Sequence, residues 1–383
     1  MKIKNFKKLA MLSSILALAS VQSFACTING TNTCSLTLPT GSTSNITGTG
    51  TSSDANAEVY LGIPLGSGNI DFTGSSLKSL SIYNTGTGTS TLNFSGGSIF
   101  NPYSPTMASV NGIYVENSGG NISLTTNQQT INSLGTAVWL RMDSKTPGDV
   151  TVIGTNSNYN SDNQRGIEVG DDGNISINLT DSSITSNGEG ISVHSAWGSA
   201  AAGKKFGKRD ITLTNTSIYA AQARAAIGVS NDGGAGDINI TTVTDKNSTI
   251  FGAEYGIEVI GDDAKNITIN SGAKLTGNIL GGIAVHTDNA YGFGSINAAN
   301  VTINVTNEVI GTTEAGIATY SLAGDTITIN LDDKSNVYST AEIGIVDTDG
   351  NATLNINNGS TVTGTTSLGN GSDNINVNSG SNV

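Results

Sequence analysis

Residues 166–190 read GIEVGDDGNISINLTDSSITSNGEG, and the pattern of this phrase decides the fold. Three short apolar runs begin near Gly166, Ile175 and Ile184, and turns rich in Gly, Asn, Asp and Ser separate them. In the middle run Ile and Leu alternate with Ser and Asn, which is the period-two pattern of a strand with one buried face. The phrase therefore predicts three short strands joined by tight turns.

Variants of this phrase recur about every 29 residues from Gly112 onward. The first run returns as GIYV, AVWL, GISV, AIGV, a second GIEV, GIAV and GIAT, and the middle run as NISL, DVTV, DITL, DINI, NITI, NVTI and TITI. Such a repeat indicates stacked units, because no single unit can bury its apolar face alone. A propeller blade would need four strands and roughly 40 residues or more. We therefore predict an all-β fold, a right-handed parallel β-helix with three short strands and about 29 residues per coil.

Asn or Asp comes just before the middle strand in most copies: Asn121, Asp149, Asn174, Asp210, Asp237, Asn266, Asn300 and Asn374. Both residue types tolerate left-handed backbone and cap their own turn. We expect this column to form a stacked structural corner.

The N-terminus has the pattern of a secretory signal peptide, residues 1–25. A basic start is followed by an apolar stretch from Leu9 to Ala19, and small residues stand at the positions that a signal peptidase reads. We expect cleavage between Ala25 and Cys26. A lipoprotein signal has small residues just before its cysteine, and Phe24 does not fit that pattern.

The rest of the chain divides into two parts by regularity. We expect residues 26–110 to form an N-terminal cap with irregular first coils, and residues 111–383 to form regular coils that end in mid-repeat. On this hypothesis the sequence is the front part of a longer protein. Cys26 and Cys34 enclose seven residues, and export through an oxidising compartment predicts that they pair as a disulfide.

The net charge of the chain limits its possible binding partners. Without residues 1–25 the chain has 13 basic and 30 acidic residues, a net charge of −17. Nucleic acids and anionic membrane surfaces both need clustered positive charge, so we expect neither as a partner. The longest connection holds Lys204, Lys205, Lys208 and Arg209, which we predict to be an exposed binding loop. The alternative is a solvated loop without a ligand.

No arrangement of catalytic, cofactor-binding or metal-ligating residues is recognisable. His194 and His286 occupy the same register three coils apart, as do the outward carboxylates Glu168 and Glu258, and roughly 14 Å separates such positions. A glycosidase needs its two carboxylates closer than that. Acids gather in the turns after the first strand, where we expect solvated side chains and keep calcium binding as the alternative: Asp171, Asp172, Asp232, Asp262, Asp263, Asp288, Asp347 and Asp349.

The signal peptide, the two N-terminal cysteines and coils such as NITINSGAKLTGN and NATLNINNGSTVTGT together resemble the passenger domains of bacterial autotransporters of the type V secretion class. The resemblance covers roughly residues 111–383. It implies export to the bacterial cell surface, outer membrane or medium, and membrane contact only through the family's C-terminal barrel, which this sequence lacks.

The resemblance also implies a function. Passengers of this kind commonly serve in adhesion, so we expect a non-enzymatic, adhesin-like protein whose partners are surface molecules of a host or neighbouring cell, with self-association as a further option. A carbohydrate-active β-helix enzyme (polysaccharide lyase or hydrolase) and an inert structural stalk are the alternatives. The ligand and the oligomeric state do not follow from the sequence.

Overall fold

The computed structural model describes residues 34–37, 44–49, 58–63, 68–77, 79–85, 88–101, 111–142, 147–196, 206–230, 236–243, 248–261, 264–288 and 298–383. Within these ranges the chain consists of strands and turns, with no helix. All 33 strands belong to one sheet, and every pairing between them is parallel. Cys34 is the first residue of the first strand, whereas Ala25 and Cys26 lie outside the described residues, so the cleavage and the disulfide stay predictions.

The strands are, in chain order, β1 Cys34–Thr37, β2 Ser44–Thr49, β3 Glu58–Ile63, β4 Gly68–Leu77, β5 Ser79–Asn84, β6 Ser90–Asn101, β7 Ile113–Asn117, β8 Ile122–Asn127, β9 Thr130–Ser133, β10 Val138–Met142, β11 Val150–Thr155, β12 Asn158–Ser161, β13 Ile167–Gly170, β14 Ile175–Thr180, β15 Ser183–Ser186, β16 Ile191–His194 and β17 Arg209–Thr214. They continue with β18 Ser217–Ala220, β19 Ala225–Ser230, β20 Ile238–Val243, β21 Thr249–Gly252, β22 Tyr255–Ile260, β23 Asn266–Ser271, β24 Lys274–Gly277, β25 Ile283–His286, β26 Asn300–Val305, β27 Glu308–Gly311, β28 Ile317–Tyr320, β29 Thr326–Leu331, β30 Asn336–Asp347, β31 Asn351–Ile356, β32 Thr361–Ser367 and β33 Asn374–Val377.

From β7 to β27 three strands make one coil, and each strand pairs with the strand three places farther along the chain. The first strands stack as β7, β10, β13, β16, β19, β22, β25 and β28, the second as β8, β11, β14, β17, β20, β23, β26 and β29, and the third as β9, β12, β15, β18, β21, β24 and β27. The eight steps from Ile122 to Ala352 in the second column span 230 residues, a mean of about 29 per coil. The predicted parallel β-helix is confirmed.

Parallel pairing extends toward the N-terminus as far as the described strands reach. The first-strand column continues through β5 and β3 to β1, and the second-strand column through β6 and β4 to β2. The described strands within residues 26–110 therefore share the stacking direction of the later coils.

The core is a single column of apolar side chains inside the prism. In most strands whose burial is described, alternate residues point inward, and one continuous cluster of buried side chains runs from Ile70 to Leu368. Burying one Ile or Val side chain contributes about 1.5–3 kcal/mol. Because each coil adds a layer of such residues, stability grows with the number of stacked coils.

The corner before the second strand is stacked by side-chain capping. Asn121 Oδ1 accepts a hydrogen bond from the backbone N–H of Asp149 at 2.9 Å, and Asn174 Oδ1 accepts one from the N–H of Lys208 at 2.9 Å. The predicted column is thus real, but Asp210 and Asn374 lie two residues beyond it, because Lys208 and Ser372 occupy those places.

Left-handed backbone at non-glycine residues is concentrated at the corner after the second strand. Four of the described non-glycine residues with positive φ angles form a column directly after the second strand, at Gln128, Asn156, Asp181 and Asn215, with φ of 51°, 49°, 49° and 48°. At the corner before the second strand, positive φ angles occur at glycines such as Gly120 and Gly324, with φ of 72° and 108°, and the Asn and Asp residues of the predicted column are absent from the positive-φ residues. One left-handed residue is enough to turn the chain sharply between the second and third strands.

An asparagine ladder runs up the outer side of the second strands. Each Nδ2 donates to the Oδ1 of the asparagine one coil earlier, at 2.7–2.8 Å, along Asn270, Asn304, Asn330, Asn355 and Asn376. Each amide in the middle of the column is therefore both donor and acceptor, which links neighbouring coils outside the core.

The three connections within a coil differ in how much their length varies. Two residues join β14 to β15, β17 to β18 and β26 to β27, which are second-to-third connections. The first-to-second connection has four residues between β13 and β14, 14 between β16 and β17, and 13 between β25 and β26. Length variation is therefore greatest at one corner, directly after the first strand.

Candidate functional site

The outer side of the first strands carries a column of large and charged side chains. Tyr114, Trp139, Glu168, Ser192, Gly228 and Glu258 stand in register in successive coils. We call this surface the first-strand face. Like positions of neighbouring coils lie only about 4.8 Å apart, so these side chains and those at the preceding corner contact one another.

Two adjoining cavities form one open cleft on this face, with volumes of about 580 Å³ and 300 Å³. Both are lined by Arg165, Glu168, Glu189 and Arg224. Trp139 lines the end nearer the N-terminus and Glu258 the opposite end. We call this feature the charged cleft.

The first charged group in the cleft is built around Arg165. Its Nη1 donates to Glu168 Oε1 at 2.9 Å, and its Nε donates to Glu189 Oε2 at 2.7 Å. His194 Nε2 lies 3.2 Å from the same Glu168 oxygen, and its ring packs over Gly170, its register partner. One guanidinium thus joins carboxylates from two successive coils.

A second group of the same composition lies farther along the helix. Arg224 Nη2 contacts Glu258 Oε1 at 2.6 Å, and His286 Nε2 lies 3.5 Å from that oxygen. The His286 ring stacks on Tyr320 with centroids 4.5 Å apart. In both groups the histidine follows the glutamate by one coil and lies two positions farther along the strand.

Glu168 is held as an anion by its neighbours. Burial disfavours the charged form of Glu168, but the hydrogen bond with His194 and the charge of Arg165 outweigh it, so the pKa of Glu168 is lowered. Burial also acts against the charge of Arg165, yet Glu168 and Glu189 raise its pKa. A general acid needs a raised carboxyl pKa, and Glu168 has the opposite shift.

Aromatic side chains border the cleft on its N-terminal side. Tyr83, Tyr114 and Trp139 follow one another at centroid distances of 5.3 and 5.1 Å. The Tyr114 hydroxyl donates to Glu116 at 2.5 Å. Burial and this carboxylate raise the pKa of Tyr114, so the hydroxyl stays protonated and the border is an apolar surface with a fixed polar edge.

The sequence located part of this site. The register confirms that Glu168 and Glu258 are three coils apart and belong to separate groups. Sequence reasoning missed Arg165, Glu189 and Arg224, which join the carboxylates. A sequence pattern could have revealed them: these charged residues come just before the first strand in three successive coils, as in RGIEV, GEGIS and ARAAIGV.

The prediction of an exposed basic binding loop is wrong for Arg209. Arg209 is fully buried in β17, where it pairs with Ile175 and Ile238 at a core position. Lys208 is exposed and forms an ion pair with Asp210 at 2.9 Å. Lys204 and Lys205 lie outside the described residues, so a binding role for them stays a prediction.

Several turn acids are structural and not solvated. Asp172 is buried and accepts a hydrogen bond from the backbone N–H of Ala196 at 2.9 Å. Asp347 accepts hydrogen bonds from the hydroxyls of Thr319 at 2.6 Å and Ser321 at 2.7 Å. Asp171 is also buried, so the prediction of solvated side chains is wrong for these three. Asp232, Asp262 and Asp263 lie outside the described residues. The described part of the chain has no group of three or more His, Cys, Asp or Glu side chains suited to a metal ion.

Comparison with protein-family models, with curated proteins and with solved structures found no match to this chain. No helical segment in the described ranges has the length and apolar character needed to cross a bilayer.

Proposed function

We propose that this chain is an exported, adhesin-like β-helical passenger that presents its first-strand face to surface molecules of a host or a neighbouring cell, without catalysis. The support for export is the N-terminal pattern of residues 1–25 and the likeness of the coils to autotransporter passengers. A stack of coils held by a continuous backbone ladder and a shared core suits a rigid stalk that displays a surface.

The observation that carries the proposal is the charged cleft. The outer columns of the second strands consist largely of Asn, Thr and Ser. The cleft instead concentrates two arginines, three glutamates and a tryptophan over successive coils. Polar groups converging in a concave surface are typical of a binding site. The lowered pKa of Glu168 favours binding over acid catalysis.

An attachment and settling assay tests this function. Cells that display the protein should settle or attach faster than cells without it, and an Arg165→Gln, Arg224→Gln double variant should reduce the effect. Lys208→Gln, an exposed change near the corner of the neighbouring column, serves as the control. Equal settling of displaying and non-displaying cells on every surface tried would contradict the proposal.

A carbohydrate-active enzyme is the second candidate, and one observation favours it. Glu168 and Glu189 contact the same guanidinium, so they lie much closer together than Glu168 and Glu258. Paired carboxylates at short range are what glycoside hydrolysis uses. Release of reducing or unsaturated sugars from a polysaccharide, lost in Glu189→Gln, would establish this alternative. A spacer function would leave both assays negative while the protein is still displayed.

A further inference from the structure

We propose that the charged cleft binds an uncharged polysaccharide chain, laid along the helix axis with about one sugar ring per coil. This inference rests on the proposed binding function and names its ligand. Three properties of the cleft carry it: its balance of charge, its aromatic end and its spacing.

The charge of the cleft is nearly balanced. Two arginines, Arg165 and Arg224, face the three glutamates Glu168, Glu189 and Glu258, so these five side chains together carry a formal charge of −1. Each guanidinium is already bound to a carboxylate, at 2.6–2.9 Å. A polyanion would gain little from such arginines and would meet a chain that is acidic overall, so the electrostatics disfavour uronic-acid polymers.

Sugar hydroxyls match the mixture of donors and acceptors. A hydroxyl can donate to a carboxylate and accept from a guanidinium at the same time. The Glu168 and Glu258 side chains are only 5% and 3% exposed, so they are fixed in place by their partners before a ligand arrives. Preorganised, charge-assisted hydrogen bonds of this kind bind neutral polar ligands without a cost of ordering the protein.

Trp139 supplies a surface for the apolar face of a sugar ring. It lines the cleft, stands in register with Glu168, and packs edge-on against Tyr114 with centroids 5.1 Å apart. An indole held in this way offers a rigid, amphipathic contact surface.

The spacing fits an extended chain of sugars. From the coil of Trp139 to the coil of Glu258 there are four steps, or roughly 19 Å at the strand spacing. An extended pyranose chain advances by about one ring in each step, so about four rings fill the cleft. An extended peptide gains most of its affinity by pairing with a free strand edge, and the first strands here are already paired on both sides.

The test is fluorescence titration of the purified chain with Trp197 replaced by Phe, which leaves Trp139 as the only tryptophan. The probes are cello-, manno- and xylo-oligosaccharides of increasing length, with oligogalacturonates as the charged series. We expect at least one neutral series to bind with an affinity that rises with length and levels off at about four rings. Oligogalacturonates of equal length should bind about tenfold more weakly or not at all.

Variants sharpen the test, with calorimetry as the readout. Trp139→Ala should weaken binding about tenfold because it removes the stacking surface. Tyr219→Ala removes an aromatic side chain that is 51% exposed on the third-strand side, and should leave affinity unchanged. Circular dichroism confirms that each variant keeps its β structure.

The inference fails if no neutral oligosaccharide binds, if oligogalacturonates bind as well or better, or if Trp139→Ala and Tyr219→Ala behave alike. Its failure can be separated from failure of the proposed function. If displaying cells still attach and no neutral oligosaccharide inhibits them, the adhesin function stands and the ligand is another molecule, such as a protein. If attachment is absent as well, both proposals fail.

Discussion

Arg209 occupies a core position that Ile175 and Ile238 fill in the neighbouring coils, and its replacement by Ala should be strongly destabilising. The buried guanidinium donates to the backbone carbonyl of Asp171 at 2.7 Å, to that of Gly207 at 3.1 Å, and also to that of Gly173. It therefore satisfies three carbonyl groups that belong to two successive coils.

The expected loss is about 3–5 kcal/mol. Each buried carbonyl left without a donor costs about 1–3 kcal/mol, and truncation of a large buried side chain adds a cavity. Part of this loss is offset, because the variant no longer has to remove the charge of Arg209 from water when it folds. The net loss therefore stays near that measured when one partner of a buried ion pair is removed.

Hydrogen exchange measured by mass spectrometry is the suitable assay, because a long array of coils can open locally without unfolding as a whole. Backbone amides of Arg209–Thr214 should exchange at least about a hundredfold faster in Arg209→Ala than in the parent chain. Lys208→Ala is the matched control, since Lys208 is exposed and its surface ion pair contributes about 0.5 kcal/mol or less.

Arg209→Met separates hydrogen bonding from volume. Methionine fills much of the same space but donates nothing, so we expect exchange nearly as fast as in Arg209→Ala. If Arg209→Met behaves like the parent chain, or if Arg209→Ala behaves like Lys208→Ala, the reasoning about the three carbonyl groups is refuted.

Three further predictions concern the interior and the outer ladder. Burial raises the pKa of Asp171 to about 7, so the folded state keeps a proton that the unfolded state releases above about pH 4, and stability should fall by up to about 4 kcal/mol as the pH rises from 4 through 7. Asp171→Asn should remove that part of the pH dependence, measured as the difference in the free energy of unfolding by urea between pH 5 and pH 8. If the parent chain and the variant show the same difference, the carboxyl of Asp171 is already ionised in the folded state. Tyr159→Phe should cost about 1–2 kcal/mol in the same titration, because the buried Thr126 hydroxyl loses its partner at 2.5 Å, and no change in the midpoint would contradict this. Asn330→Ala removes two hydrogen bonds of the asparagine ladder and should lower the free energy of unfolding by about 1–2 kcal/mol. Asn178→Ala, at an exposed position of the same column, should lower it by about 0.5 kcal/mol or less. Equal effects of the two substitutions would mean that the ladder contributes nothing.

The repeating pattern predicted the fold because inward and outward residues alternate in every strand. The columns that contain Ile167, Ile191 and Ile227 follow directly from the recurring GIxV phrase. Each of these runs is short, apolar and bounded by turn residues, so no helix competes with the strand assignment.

The register of β17 could not be predicted from the same pattern. A shift of two residues keeps every side chain on the same side of the sheet, so alternation alone cannot distinguish Arg209 from Ile211 as the partner of Ile175. The preference for Asp before Ile selected Asp210 and Ile211, and the structure shows the other register. That difference is why Arg209 was expected at the surface and lies in the core.

Of the charged residues that line the charged cleft, the sequence pointed only to the carboxylates of Glu168 and Glu258. Glu168 and His194 are adjacent because they lie on neighbouring coils and differ by two positions along the strand, which depends on register. Arg165 and Glu189 come from the corner before the first strand, where side-chain direction is set by the turn and not by alternation. Sequence periodicity therefore locates the strands of the site but not the contacts between its side chains.

The variable corner after the first strand adjoins the charged cleft, since His194 and Ser230, at the ends of β16 and β19, line both the corner and the cleft. A scaffold of this design separates two kinds of sequence change. Residues can be gained or lost beside the cleft, altering its rim and the molecules it admits. The short connections between second and third strands, two residues long in most coils, keep the three stacks aligned.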